Sequence, residues 1–223
     1  PLIEYSLEEL AEAGIKQVSL VVSAAAERIE QAVGDGSRWG LEIDYFLSRG
    51  EESPRRLVPR MGLHGDDWHL ILRGDVLRSR MIGEFLQTAV QLGGSYVEGR
   101  VCGGHAAALL FRRADACLER LAWPLASSGA PIAAGGMLAV LTGKLAPLDT
   151  LKNYHAASLG AVGGAFSGIL LPGLERKPSV HVGAQTAADH LYWSDTRAVL
   201  GRQVQIDPSV SLHGTVVLGD HVV

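Results

Sequence analysis

Apolar residues first recur at helical spacing. Over residues 6–13, Leu7, Leu10 and Ala11 share one face, with Ser6 as N-cap, Glu9 as its capping-box partner and Gly14 closing the helix. The pattern then becomes a nearly continuous apolar run, Ile15 to Ser23, which predicts a strand buried on both faces. A second helix is expected over Ala24–Val33, ended by Gly34-Asp35-Gly36, and the alternation of Leu41-Glu42-Ile43-Asp44-Tyr45 predicts a second strand. Trp68 to Arg73 reads as a third strand, followed by a helix at about 79–91. This order of helices and strands predicts an α/β fold with a Rossmann-like, doubly wound parallel sheet. Ligands gather outside the carboxyl ends of strands in such sheets. The third strand runs directly into Gly74 and Asp75, so Asp75 is the first candidate for a functional side chain. Residues 94–101 and 106–112 suggest two more strands, 114–121 a helix, and 150–164 another. Residues 124–148, rich in Pro, Gly, Ala and Leu, read as a loop-rich cover to the sheet.

The period changes again from about Pro172. Leu200, Ile206, Leu212 and Leu218 recur every six residues, as do Val204, Val210, Val216 and Val222. Such a period is the signature of a hexapeptide parallel β-helix, whose aliphatic positions point into a triangular prism. Val182-Gly183, Leu200-Gly201 and Leu218-Gly219 fall 18 residues apart, the length of one coil. Ala188 and Ser194 break the pattern, so the first coil is expected to be irregular. The expected domains are 1–171, the α/β part, and 172–223, the start of the β-helix. Stacked repeats need neighbours and a capped end, so a pattern that stops at Val223 in mid-unit is expected to continue.

Composition narrows the function classes. At 47% hydrophobic and 20% charged the chain is globular, and a formal net charge of -4 offers no basic footprint for nucleic acid. Arg55, Arg56 and Arg60 are the densest basic group and read as a solvated loop or local anion contact. Cys102 and Cys117 lack metal-ligand spacing and suit reduced thiols in a cytoplasmic protein. The uncharged run His155 to Leu174 carries five glycines and a proline and does not read as a membrane span. Arg73-Gly74-Asp75 reads as a strand end, not as an adhesion tripeptide.

Several of these segments resemble a known family. Pro1 to Tyr5, Leu10 to Ile15, Val21-Val22, the turn Gly34-Asp35-Gly36-Ser37-Arg38-Trp39-Gly40 and Ile43-Asp44-Tyr45 look like sugar-1-phosphate nucleotidyltransferases, which make nucleotide-sugars from a sugar 1-phosphate and a nucleoside triphosphate. The resemblance implies a magnesium-binding aspartate at Asp75, within the family's Asn-Gly-Asp-like strand end, with Gly74 beside it. It places His105 at a sugar contact where an asparagine is usual, and Thr150 with Tyr154 on the helix that closes the catalytic domain. With the hexads it points toward a mannose-1-phosphate guanylyltransferase-like protein, in which the β-helix would serve a homo-oligomer or regulation.

The departures from the family are specific. The family's second metal-binding aspartate corresponds to Pro147, and Asp149 and Asp67 are out of register. Residues 51–64 replace the segment that meets base and sugar, and no Glu-Lys-Pro motif lies between Tyr96 and His105. The nucleotide-cradling loop is expected upstream of Pro1, so activity is expected of a full-length parent and not of this stretch alone. Two other readings compete. One is a non-catalytic homologue that binds nucleotide-sugar or a partner subunit. The other is a hexapeptide acyltransferase with a histidine base, although His213 and His221 read as exposed turn residues, while His69 reads as core and His64 and His155 lack metal-like spacing.

Overall fold

In the computed structural model the described residues are 2–49, 52, 54–63, 67–101, 104–112, 136–193 and 195–223. The chain divides into two compact units, one of residues 1–76 with 80–145 and one of residues 77–79 with 146–223. The boundary expected at 171 and 172 falls inside the second unit.

The first unit is mixed α/β. Helix α1 (Leu2–Glu12) leads to strand β1 (Gln17–Val22), helix α2 (Ala26–Val33) and strand β2 (Glu42–Leu47). β1 and β2 pair in parallel from Gln17 opposite Glu42 to Val22 opposite Leu47. The turn between α2 and β2 is built by its glycines. At Gly36 φ is +86°, and an added Cβ would stand 2.6 Å from Ile43 Cγ1 and 2.8 Å from the Leu41 carbonyl oxygen. Only glycine satisfies both demands. Asp35 Oδ1 accepts from Ser37 N at 3.0 Å, and Tyr45 donates its hydroxyl to the Gly34 carbonyl at 2.7 Å.

After the short helix α3 (Pro54–Leu57) come strands β3 (Trp68–Leu72) and β4 (Val76–Arg78), then helix α4 (Ile82–Leu92). Strands β5 (Tyr96–Val101), β6 (Gly104–Arg112) and β7 (Met137–Leu141) complete a four-stranded sheet of order β3-β6-β5-β7. β5 and β7 are parallel, whereas β6 runs antiparallel to both β3 and β5. This corrects the expectation of a wholly parallel sheet. β5 and β6 are joined by a hairpin-length connection, and a connection that short returns the chain antiparallel. Its core gathers Leu10, Met81, Ile82, Phe85, Ala89, Val97, Ala108, Leu110 and Ala139.

The expected capping box is also corrected. α1 begins at Leu2, so Ser6 lies inside the helix and is not its N-cap. Glu9 is 6% exposed, and its Oε1 accepts from Met81 N at 2.5 Å and Ile82 N at 2.7 Å, satisfying first-turn donors of α4 from a distant element. Sequence spacing sees only local partners, so it assigned Glu9 to the wrong helix. β7 and β8 (Leu145–Pro147) lie in the stretch expected to be loop.

β4 and β8 pair with each other, Leu77–Arg78 and Ala146–Pro147 of them in the second unit, and helix α5 (Leu151–Val162) follows. Thr150 caps α5, its Oγ1 accepting from Asn153 N at 3.1 Å. Within the run 155–174 the helix stops at Val162 and turns follow, and no helix among the described residues is long and apolar enough to cross a membrane. Then come strands β9 (Leu174–Lys177), β10 (Val180–Val182), β11 (Thr196–Leu200) and β12 (Gly214–Leu218). β10, β11 and β12 are parallel, with Val180 opposite Ala198 and Ala198 opposite Val216, a constant offset of 18. Leu200, Ile206, Leu212 and Leu218 pack together with Val180, Val182 and Leu191. The second aliphatic set is less uniform: Val204 is buried, while Val210 is 43% and Val222 37% exposed.

The offset is repeated in backbone shape and side-chain pairing. Gln185, Gln203 and His221, each 18 residues after the last, all have positive φ (60°, 55° and 62°). Gln203 Nε2 donates to Gln185 Oε1 at 2.7 Å, and Arg202 N donates to Asp220 Oδ1 at 2.7 Å. At Gly201 an added Cβ would lie 2.5 Å from Asp220 N and 2.5 Å from the Gly219 carbonyl carbon, so adjacent turns of chain touch there through backbone.

Candidate functional site

Asp75 stands in the bend between β3 and β4, just past the carboxyl end of β3. β3 is half-buried, with Leu70 and Leu72 packed against the core of the first unit. The polar residues begin where the strand leaves that core. The β3–β6 register, with Leu72 opposite Ala108, brings the start of β6 to this same sheet edge. Position 105 therefore lies at the edge that carries Asp75, and its backbone pairs with Arg100 on β5. The side chain of His105 lies outside the described residues. Gly74 is exposed, and a Cβ built there meets nothing within 4 Å, so no packing demand explains a glycine at that position.

The carboxylate of Asp75 is half exposed and held by its neighbour but one. Arg73 Nε donates to Oδ1 at 2.6 Å and Arg73 Nη2 donates to Oδ2, a two-point clamp. The side chains are 26% and 50% exposed for Arg73 and Asp75. Hydrogen bonds from Arg73 hold the Asp75 carboxyl below the usual carboxylate range, against a partial desolvation that pushes it up.

A hard divalent cation asks for several oxygen ligands. Asp75 has the right donor atoms, but Arg73 occupies both of them. Among the described residues no group of three or more His, Cys, Asp and Glu side chains comes together. As it stands this edge does not fit a preformed cation site. Asp67 does not complete it, since it precedes β3 and so lies at the opposite end of the strand from Asp75. Asp149 Oδ1 accepts from Asn153 Nδ2 at 2.7 Å, at the start of α5, and Pro147 ends β8 without a donor for metal.

The other candidates settle into structural places. His69 packs against Phe111 with ring centroids 5.4 Å apart, and burial pushes its pKa down, as a core histidine requires. His155, His213 and His221 are exposed. Arg60 pairs with Glu52 at 3.0 Å and lies over Phe46, so it is locally engaged. His64, Cys102, Cys117, Ser194 and the helix expected at 114–121 lie outside the described residues. Sequence reasoning missed the Arg73 clamp, although opposite charges stand two residues apart across Gly74. That spacing was the available signal.

No protein-family model matches the chain. Over 46 residues it is 47% identical to a glucose-1-phosphate thymidylyltransferase of Streptomyces antibioticus, a stretch that is 21% of this chain and 13% of that protein. Over 80 residues it is 34% identical to the low-salt glycan biosynthesis nucleotidyltransferase Agl11 of Haloferax volcanii, 34% of this chain and 22% of that one. The chain thus spans from 13% to 22% of the length of these curated relatives. Among solved structures, a Bacillus anthracis protein provisionally assigned as a glucose-1-phosphate thymidylyltransferase superposes with TM-score 0.60 at 11% identity, covering 77% of this chain and 85% of that one. HddC of Yersinia pseudotuberculosis, solved with GMP-PN, superposes with TM-score 0.51 at 10% identity, covering 70% and 84%. The chain shares its α/β fold with these structures. The relatives it resembles in sequence are sugar-phosphate thymidylyltransferases and a related nucleotidyltransferase.

Proposed function

We propose that the chain is part of a sugar-1-phosphate nucleotidyltransferase, which joins a nucleoside triphosphate to a hexose 1-phosphate and releases pyrophosphate. The observation that carries the reading is the position of Asp75, an ionised carboxylate at the carboxyl end of the half-buried strand β3. It is supported by local identity to thymidylyltransferases and by the shared fold. In such a reaction a sugar phosphate oxygen attacks the α-phosphorus and the charge on the triphosphate must be neutralised. Mg²⁺ enters this reading as the counter-ion of the triphosphate, supplying that neutralisation when bound. Asp75 is its proposed protein ligand, conditional on release from Arg73. Gly74 leaves open space beside the carboxylate for a ligand, and position 105 lies along the same edge for the sugar phosphate. The parallel offset of 18 residues in β10, β11 and β12 supports the start of a left-handed parallel β-helix as the second element of the protein.

The test is pyrophosphate release by the full-length protein, with each nucleoside triphosphate paired with hexose 1-phosphates in Mg²⁺. Turnover with at least one pair is expected. No turnover with any pair, together with retained triphosphate binding, would replace this reading by that of a non-catalytic binding homologue. The clamp on Asp75 and the proline at 147 are the observations that favour that second reading.

A further inference from the structure

We propose that Arg73 is a built-in competitor for any divalent cation at Asp75, so that the resting chain balances this carboxylate with its own guanidinium and binds metal there only weakly. The inference deepens the site reading above and rests on it for its relevance to catalysis, but not for its geometry.

The geometry begins with spacing. Arg73 and Asp75 flank Gly74 in the bend where the chain leaves β3, close enough for their side chains to meet. The fork of a guanidinium matches the two oxygens of a carboxylate, and here it engages both, Nε with Oδ1 at 2.6 Å and Nη2 with Oδ2. A cation bound at either oxygen must displace one arm of that fork. The guanidinium keeps its charge at every accessible pH, so the competition does not relax as pH rises. Among the described residues no group of three metal-ligating side chains stands ready to anchor an incoming ion. The competitor is therefore tethered two residues away, whereas the cation must come from solution.

Mn²⁺ alone is the probe, with free ion followed by electron paramagnetic resonance during titration of the whole chain. Wild type is compared with Arg73→Gln, Arg73→Lys and the double variant Arg73→Gln with Asp75→Asn. Arg73→Gln is expected to bind Mn²⁺ at least about tenfold more tightly than wild type, the scale on which neighbours of metal ligands act. Arg73→Lys, which keeps the charge without the fork, should lie between them, and the double variant should lose the gain. Equal affinity in wild type and Arg73→Gln would overturn the proposal, as would a gain that survives Asp75→Asn. Should Arg73→Gln not fold, Arg73→Lys decides by the same comparison with wild type. Triphosphate binding, measured in parallel by calorimetry on the full-length protein, separates the two readings. A chain that shows the Mn²⁺ gain but binds no triphosphate refutes the function and keeps the competitor, and the reverse result does the opposite.

Discussion

The stacked strands of the second unit and the sheet edge of the first solve opposite problems. In the stack a residue meets its counterpart 18 positions on, whatever its kind: Val180 beside Ala198, Ala198 beside Val216, Gln185 beside Gln203 and Arg202 beside Asp220. At the sheet edge Asp75 meets a residue of opposite charge two positions back. Repetition makes stability from many equivalent contacts, each dispensable in chemistry but demanding in shape. The ion pair makes little stability, being half exposed, and instead sets what charge the edge presents to a ligand. The contrast implies that substitutions among the stacked strands should register as unfolding, and substitutions at the edge as altered binding.

The sharpest way to break that contrast is at Gly201. An added side chain there meets backbone at 2.5 Å, which cannot move without separating neighbouring turns of chain. Gly201→Val is expected to cost about 3 kcal/mol or more. Hydrogen exchange at the Gly183 and Gly201 amides, which donate to Leu200 and Leu218 carbonyls at 2.8 Å and 2.9 Å, should speed selectively. Unchanged exchange would mean that the adjacent turns of chain do not bear on one another as described.

Glu9→Ala comes next, at about 2 kcal/mol in denaturant unfolding, because two buried amides of the α4 start lose their acceptor. It belongs to the first unit yet acts structurally, so it marks where the contrast stops being one of units and becomes one of burial. A loss within about 0.5 kcal/mol would show that the amides find other partners.

The smallest expected effect is on stability at Arg73. Removing the partner of a half-exposed carboxylate should cost under about 1 kcal/mol. The sign follows from the lowered Asp75 pKa: the pair contributes above the ordinary carboxylate range and its contribution is lost as pH falls through the folded-state value. The difference between wild type and Arg73→Gln should therefore be constant near neutral pH and vanish in acid. A difference that persists below the titration of Asp75 would place the effect in packing instead.

These two regions also differ in how far the amino-acid sequence discloses them. The six-residue recurrence of Leu200, Ile206, Leu212 and Leu218 is legible because the pairing partner is a periodic image in the same chain. The strand that ends at Asp75 is legible for a related reason, since its apolar run stops where the core stops. The antiparallel course of β6 was legible too, because two residues between β5 and β6 are too few for a parallel crossover, but the helix-strand alternation upstream drew the reading toward a parallel sheet. Glu9 was legible as a cap but not as the cap of α4, since its partners are more than seventy residues away, with separations of 72 and 73. β7 escaped notice because Met137 to Leu141 sits in a composition of Ala, Gly and Leu that blurs any period. At the site, charge spacing alone held the clue to Arg73, and the family resemblance drew attention to Asp75 only.

The most direct measurement sets wild-type full-length protein against Asp75→Asn in the pyrophosphate-release assay, with thermal melting of both. Asp75→Asn should lower Mg²⁺-dependent turnover by about a hundredfold or more while melting within a few degrees of wild type. A variant that turns over as fast as wild type would show that Asp75 only shapes the end of β3 and that the chemistry lies elsewhere.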